Sequence, residues 1–182
     1  MLFRSKSKGE IPWNLKNAYA IERGGEATFH NLGQLVCYPL LSLKESEKDA
    51  HLHLRRLEDT LIHVLKEFNI EGERRKGATG VWVVGKEKKI ASIGIAISSW
   101  ITFHGSALNV NNDLSGFSKI DPCGFKASVM TSMKEELGGQ SPSLAQVKES
   151  FIKHFSKQFN RDRKSTRLNS SHEWISRMPS SA

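Results

Sequence analysis

Residues 80–110, GVWVVGKEKKIASIGIAISSWITFHGSALNV, carry most of the β-sheet that this sequence predicts. Residues 80–84 and 89–97 are rich in Val, Ile and Ala and flank a charged turn that contains Gly, which is typical of a β-hairpin. A third strand is predicted over residues 100–110. These three segments would form the centre of the fold.

Two shorter strands are predicted before this centre, at residues 20–22 and 34–40. The run 34–40 is almost continuously apolar, which favours a central strand covered on both faces. Residues 69–79 are rich in charge and contain two glycines, so they are expected to form an exposed connection.

Two amphipathic helices are predicted, one over residues 50–68 that begins at Ser46 or Asp49, and one that begins near Ser143. Their apolar positions recur at helical spacing. They are Leu54, Leu57, Leu61, Val64, Leu65 and Phe68 in the first helix, and Leu144, Val147, Phe151, Phe155 and Phe159 in the second. A short helix is expected at residues 126–137. Strands and helices together indicate an α/β or α+β fold, with a sheet layered by helices.

The chain has 182 residues, a formal charge of +8 and two cysteines. This length fits one catalytic domain over residues 1–160, and the Ser-rich segment 161–182, which has no amphipathic period, is expected to be a non-native disordered tail. No apolar run is long enough for a membrane helix. The positive charge could attract acidic proteins or nucleic acid, and composition leaves both open.

Cys123, between Pro122 and Gly124, is the candidate nucleophile. A tight turn presents a thiol well, but a thiol with a pKa of about 8.5 needs a nearby cation or base at neutral pH. Lys89 is the candidate activator, because partial desolvation at the start of an apolar strand lowers a lysine pKa. The residues alone also allow Cys123 to be an ordinary turn cysteine and Lys89 to belong to a solvated run of lysines. Cys37, inside an apolar strand, is expected to be inert.

The segment RGGEATFH at residues 23–30 is predicted to form part of a binding pocket. A cation, flexible glycines and small polar groups suit an acyl chain and its carbonyl oxygen, and backbone N–H groups could stabilise an oxyanion. The segment comprises Arg23, Gly24, Gly25, Glu26, Ala27, Thr28, Phe29 and His30. His30 and His104 could act as bases or be structural histidines. His51 and His53 lie on different faces of the predicted helix, so no metal site is expected.

Seven sequence blocks, taken as a set, resemble the lipoyl(octanoyl) transferase family, the octanoyl-acyl-carrier-protein:protein N-octanoyltransferases. They are RGGEATFH at 23–30, GQLVCYP at 33–39, GVW at 80–82, KIASIG at 89–94, HGSALNV at 104–110, DL at 113–114 and DPCG at 121–124. The resemblance covers residues 21–159. It implies a mixed central β-sheet flanked by helices, as in the catalytic domain of the biotin and lipoate protein ligases.

The resemblance further implies a ping-pong acyl transfer without cofactor, ATP or metal. Cys123 matches the family's catalytic cysteine and would take the octanoyl group from octanoyl-acyl carrier protein as a thioester. Lys89 matches the catalytic lysine and would promote the thiolate, then help to deprotonate the incoming amine. The expected acceptors are the lipoyl domains of 2-oxoacid dehydrogenase acyltransferase subunits and the glycine-cleavage lipoyl carrier. The acyl pocket would be lined by residues 23–30 and by Ser92, Ile93, Gly94, Gly105, Ser106 and Ala107.

The family resemblance also sets expectations for the surroundings of the protein. We expect a monomer in the bacterial cytoplasm, with the mitochondrion as the alternative, and neither a nucleic-acid nor a membrane partner. Two features depart from the family: Asn31 and Leu32 stand where Gly-Pro is usual, and the lead before residue 21 is short and irregular. The second departure predicts a domain that is truncated at its start and could be inactive.

Two other functions compete with octanoyl transfer. An ATP-dependent lipoate ligase of the same fold needs no nucleophilic cysteine, so Cys123 argues against it. A basic binding module for nucleic acid would interleave aromatic residues with Lys and Arg, whereas Trp82, Trp100 and Phe103 stand in apolar strands.

Overall fold

The computed structural model describes residues 2–5, 18–25, 27–120 and 126–161. The strands are β1 (Leu2–Ser5), β2 (Ala18–Ala20), β3 (Thr28–His30), β4 (Gln34–Cys37), β5 (Gly72–Arg75), β6 (Ala78–Val83), β7 (Lys89–Ser98) and β8 (Ile101–Asn109). The α-helices are α1 (Ala50–Glu67), α2 (Met133–Glu136) and α3 (Leu144–Phe159). Short 3₁₀ helices occur at Glu45–Glu47, Ser115–Lys119 and Ala127–Val129.

The strands form two sheets. The larger has five strands in the order β4-β8-β7-β6-β5, and its neighbours are antiparallel. The smaller has the order β2-β1-β3, with β1 parallel to β2 and antiparallel to β3. The predicted hairpin of residues 80–84 and 89–97 corresponds to β6 and β7, the strand predicted at residues 100–110 corresponds to β8, and β7 is the central strand of the larger sheet.

One face of the larger sheet packs against α1 and α3. Leu57, Leu61 and Val64 of α1 lie in one buried cluster with Ile93 of β7 and Leu108 of β8. The predicted apolar stripe of α1 is therefore core, as is that of α3, which contributes Val147, Phe151 and Phe159. Among the described residues, no helix combines the length and the apolar character needed to cross a bilayer.

Both long helices begin at the capping residues that the sequence offered. Asp49 accepts hydrogen bonds from the backbone N–H groups of His51 and Leu52, at 2.8 and 3.0 Å. Ser143 and Gln146 form a reciprocal capping box at the start of α3. Each cap satisfies backbone donors that the first helical turn leaves without an internal partner.

Two sequence predictions about the larger sheet were wrong. The run 34–40 is not a central strand: β4 ends at Cys37 and lies at one edge of the sheet, and Tyr38 and Leu40 beyond it are 40% and 64% exposed. Residues 69–79 are not simply a connection, because they contain β5, the other edge strand. Charged residues suit an exposed edge, where they oppose pairing with a second chain.

Two shorter elements also differ from expectation. The predicted strand at 20–22 is shifted to β2, at Ala18–Ala20. The predicted helix at 126–137 is broken into Ala127–Val129 and α2. It breaks because Met130 forms an isolated parallel bridge with Lys89, and the N–H of Thr131 donates to the Lys89 carbonyl at 3.0 Å.

Candidate functional site

A cleft lies on the face of the larger sheet that is turned away from the helices. Ser92 faces Ala107 across β7 and β8, and Gly94 faces Gly105. Successive side chains of a strand point to opposite faces, and the neighbours Ile93 and Leu108 belong to the helix-side core. The cleft is therefore floored by small residues. Its empty volume is about 340 Å³, part of it open to solvent.

The structure brings most of the predicted pocket residues together around this cleft. Those that line it are Arg23, Thr28, His30, Ser92, Ile93, Gly94, Gly105, Ser106 and Ala107. Gly24 and Gly25 are exposed beside it, and the Gly24 N–H donates to the Ile95 carbonyl at 2.8 Å, which fastens the segment to β7. Glu26 lies outside the described residues.

Ala27 and Phe29 do not line the cleft but fill a second, smaller core. Phe29 is fully buried and meets Phe117 edge to face, with ring centroids 5.3 Å apart. Ile120 and Met130 complete this cluster. Ile120 is the last described residue before the stretch 121–125.

Arg23 lies across the floor of the cleft. It is 9% exposed, and its Nη1 donates to the Gly24 carbonyl at 2.9 Å. A β-carbon placed on Gly94 would lie 2.8 Å from Arg23 Cδ, so the absence of a side chain at Gly94 lets the arginine pack there. A guanidinium in this position can polarise a carbonyl or hold a carboxylate.

A chain of hydrogen bonds holds His30 at the side of the cleft. Its Nδ1 lies 2.6 Å from Gln34 Oε1, Gln34 Nε2 donates to Asn109 Oδ1 at 2.7 Å, and Asn109 Nδ2 donates to the Thr131 carbonyl at 2.9 Å. Because the Gln34 amide oxygen faces the imidazole in this network, Nδ1 of His30 carries the proton and donates. The network fixes the ring orientation and ends beside the backbone of Lys89.

Lys89 is turned toward the cleft side of the sheet by a β-bulge. Trp82 pairs with Lys89, but Val81 pairs with Ala91, so Ile90 is an extra residue in β7. Val81 belongs to the helix-side core, and Trp82 therefore points to the other face with Lys89 opposite it. Without the bulge, side chains would alternate between the two faces from Ser92 back to Lys89, and Lys89 would point toward the helices.

The Lys89 side chain is buried against aromatic and backbone groups. It is 1% exposed, and its Nζ lies 5.6 Å from the centroid of the Trp82 ring. The interpretation of residues 86–89 as a solvated run of lysines is therefore wrong for Lys89. Lys89 does not line the cleft itself. It precedes Ser92 by three positions on β7 and lies on the same face of the sheet as the cleft.

The two cysteines are in different situations. Cys37 is a free thiol on β4, packed against the helix-side core. Burial raises the pKa of this thiol from 9.0 to about 12, against a smaller lowering by the charge of Lys148. Cys37 is therefore protonated at neutral pH and a poor nucleophile. Cys123 lies outside the described residues, in the stretch 121–125.

Sequence reasoning missed Tyr38 as a cleft residue. Tyr38 lines the cleft with His104, and their rings meet edge to face with centroids 5.8 Å apart. His104, for which the sequence allows a base or a structural histidine, adopts a φ of 60° within β8. The prediction of a strand covered on both faces gave no reason to place Tyr38 at a cleft. The available signal was its spacing, because Tyr38 follows Val36 by two residues and so lies on the same, cleft-facing side.

The loop that departs from the family pattern lies next to this cleft. Leu32 is 92% exposed, whereas Asn31 Nδ2 donates to the Asp113 carbonyl at 2.7 Å. Gly33 has a φ of 89°, and a β-carbon on it would lie 2.5 Å from Asn111 Oδ1. Asn31 thus ties this loop to the loop after β8.

Comparison with known proteins agrees with this arrangement. Residues 16–156 match the lipoyl protein ligase A/B catalytic domain. The chain belongs to this family. It is 46% identical over 145 residues to an octanoyltransferase of Flavobacterium psychrophilum, a match that covers 78% of this chain and 62% of that protein. The chain thus spans less than two thirds of that relative's length.

Solved structures share the fold. The structure is similar to lipoate-protein ligase A bound with ATP, with a TM-score of 0.67, 19% identity, and coverage of 87% of this chain and 65% of that one. It is also similar to biotin protein ligase from Aquifex aeolicus, with a TM-score of 0.54, 21% identity, and coverage of 70% and 53%. The predicted fold class, a sheet flanked by helices as in biotin and lipoate protein ligases, is confirmed.

Proposed function

We propose that this chain transfers an octanoyl group from octanoyl-acyl carrier protein, through a thioester on Cys123, to a lysine of a lipoyl domain. The observation that carries the proposal is the 46% identity to an octanoyltransferase over 78% of this chain, together with the family match over residues 16–156, which includes the cleft residues, Lys89 and β8. The expected acceptors are lipoyl domains of 2-oxoacid dehydrogenase acyltransferase subunits and the glycine-cleavage lipoyl carrier.

In the first half-reaction the Cys123 thiolate would attack the carbonyl carbon of the octanoyl thioester. The new bond joins Cys123 Sγ to the acyl carbon, and the bond to the carrier sulfur breaks; the carrier takes a proton from the Lys89 ammonium and leaves as a thiol, which leaves Lys89 as the amine. Cys37 is unsuited to this step, since burial holds the pKa of its thiol at about 12. The chain has two cysteines, which leaves Cys123 as the candidate.

Lys89 would serve both half-reactions. As a cation it would stabilise the Cys123 thiolate, and as an amine it would take a proton from the incoming lysine. In the second half-reaction the acceptor's nitrogen bonds to the acyl carbon, and Cys123 leaves as a thiolate. The burial of Lys89 at 1% exposure supports this role, because a charge acts over a longer reach where water is excluded.

The cleft suits a short acyl chain with its carbonyl near Arg23. Ser92 and Ala107 present only small side chains on this face, while Arg23 packs over Gly94 and the Cys37 carbonyl lies over Gly105. Each buried methylene is worth about 0.8 kcal/mol, so the depth of the cleft would set the preferred chain length.

An ATP-dependent lipoate ligase is the second candidate, because lipoate-protein ligase A bound with ATP has the same fold. At 19% identity that likeness concerns the fold alone. A ligase reaction would require ATP and free lipoate, and no Cys123 thioester would form.

The experiment is incubation of the chain with octanoyl-acyl carrier protein, followed by intact-mass spectrometry before and after hydroxylamine. A hydroxylamine-sensitive octanoyl adduct is expected on the Cys37→Ser variant and not on Cys123→Ser. Cys37→Ser is the matched control, since it removes the other thiol. A full adduct on Cys123→Ser would contradict the proposal.

A further inference from the structure

We infer that Gly80 is a positioning residue for Lys89: it leaves free the space against the sheet in which the end of the lysine side chain lies. The inference rests on the catalytic role proposed for Lys89. It concerns a glycine of β6, the strand paired with the Lys89 end of β7.

The gap is defined by the atoms around Gly80. A β-carbon on this glycine would lie 2.8 Å from Lys89 Cε and 3.4 Å from Lys89 Nζ. It would also lie 2.4 Å from the Ala91 carbonyl oxygen. The end of the Lys89 side chain therefore occupies the space that any other residue at position 80 would fill.

The backbone at Gly80 is itself unusual. Its φ of 120° is one that L-residues with side chains rarely adopt. The bulge at Ile90 lies on the adjacent strand, between the pairs Val81–Ala91 and Trp82–Lys89, and Gly80 immediately precedes the first of these pairs. The bulge turns Lys89 to this face, and Gly80 gives the turned side chain room to lie flat against the sheet.

Two further contacts fix this arrangement. Glu58 of α1, only 1% exposed, accepts the Gly80 N–H at 3.2 Å and is held by Arg55 and Arg74, at 2.7 and 3.1 Å. On the other side of the gap, the Nε1–H of Trp82 donates to the Ala78 carbonyl at 3.0 Å and locks the ring that faces Lys89. These contacts hold Gly80 and the Trp82 ring in place beside the lysine.

The test compares Gly80→Ala with Gly77→Ala. Gly77 lies in the turn before β6 and also has a positive φ, of 77°, but a β-carbon there would meet nothing within 4 Å. Both variants strain the backbone, but only Gly80→Ala meets the Lys89 side chain and the Ala91 carbonyl. We expect Gly80→Ala to lower kcat for transfer at least tenfold with KM for octanoyl-acyl carrier protein unchanged, and to shift the pH profile of Cys123 alkylation upward. Gly77→Ala should resemble the parent protein.

A double variant tests whether Gly80 acts through Lys89. If it does, Gly80→Ala has no further effect on kcat or on the alkylation profile in a Lys89→Ala background. Full additivity of the two changes would overturn the inference, as would a Gly80→Ala variant that behaves like Gly77→Ala. If Lys89→Ala alone changes neither readout, the proposed role of Lys89 fails instead, so the two failures are distinguishable.

Folding of the variants is followed by thermal unfolding. Lys89→Ala removes the contact with the lysine and leaves the contact with the Ala91 carbonyl, so the Gly80→Ala/Lys89→Ala variant is expected to recover part of the stability that Gly80→Ala loses. A double variant no more stable than Gly80→Ala would overturn the inference, because the Ala91 carbonyl would then be the whole obstacle.

Discussion

Cys37 and Cys123 should differ sharply in their reaction with iodoacetamide. Burial raises the pKa of the Cys37 thiol from 9.0 to about 12. Since the thiolate is the reactive form, this change lowers the reactive fraction of Cys37 at neutral pH about a thousandfold. The packing of Cys37 against the helix-side core restricts access of the reagent as well.

The assay is a time course of alkylation at pH 7.5, read by peptide mass spectrometry. Native protein should be labelled on Cys123 alone, with Cys37 at least a hundredfold slower than in the same protein in urea. The urea sample is the control, because unfolding removes the burial that raises the pKa. Alkylation of native Cys37 at the rate measured in urea would refute the assignment of Cys37 as an inert thiol.

Three further outcomes concern stability. Leu61→Ala should cost about 2–5 kcal/mol of unfolding free energy in urea titration, because Leu61 is fully buried between helix and sheet. Gly116→Ala should cost about 1–3 kcal/mol by overpacking, since its β-carbon would lie 2.1 Å from Phe29 Cζ. Hydrogen bonds, the strongest of them from Lys153, lower the pKa of Glu67 from 4.5 to about 2. Glu67 therefore stabilises the folded state above pH 4.5, and this stabilisation is lost as the pH falls toward 2. Glu67→Gln should flatten the fall of the thermal midpoint over that pH range.

Hydrophobic periodicity was enough to place the main elements of the fold. Strands β7 and β8 and the two long helices were predicted because each buries one face against the other layer, and burial leaves a period in the sequence. The helix starts at Asp49 and Ser143 followed from capping chemistry, which is local and readable in a few residues.

Edge strands were harder to predict because their pattern depends on what lies beside them. Residues 72–75 are charged and still form β5, since an edge strand gains hydrogen bonds from one side only and can face water on the other. The apolar run at residues 34–40 suggested a covered strand, yet Tyr38 and Leu40 are exposed. Tyr38 was therefore missed at the cleft.

The orientation of Lys89 could not be derived from its sequence neighbours. Simple alternation along KIASIG puts Lys89 on the opposite face from Ser92, and only the bulge at Ile90 reverses this. A bulge depends on pairing with the neighbouring strand, here β6. On β6, Gly80 leaves space for the Lys89 side chain, and the Trp82 ring packs against it. The family resemblance named Lys89 directly, whereas the reason for its burial lies in the neighbouring strand.

The central claim is transfer of an activated acyl group without ATP. The most direct measurement mixes the chain with octanoyl-acyl carrier protein and an unmodified lipoyl domain, without ATP, and follows the mass of the lipoyl domain. Octanoyl transfer to its lysine is expected, with the Cys123→Ser variant inactive and added ATP without effect. Modification that requires ATP and free octanoate or lipoate, or that proceeds equally in Cys123→Ser, would contradict the claim and favour a ligase.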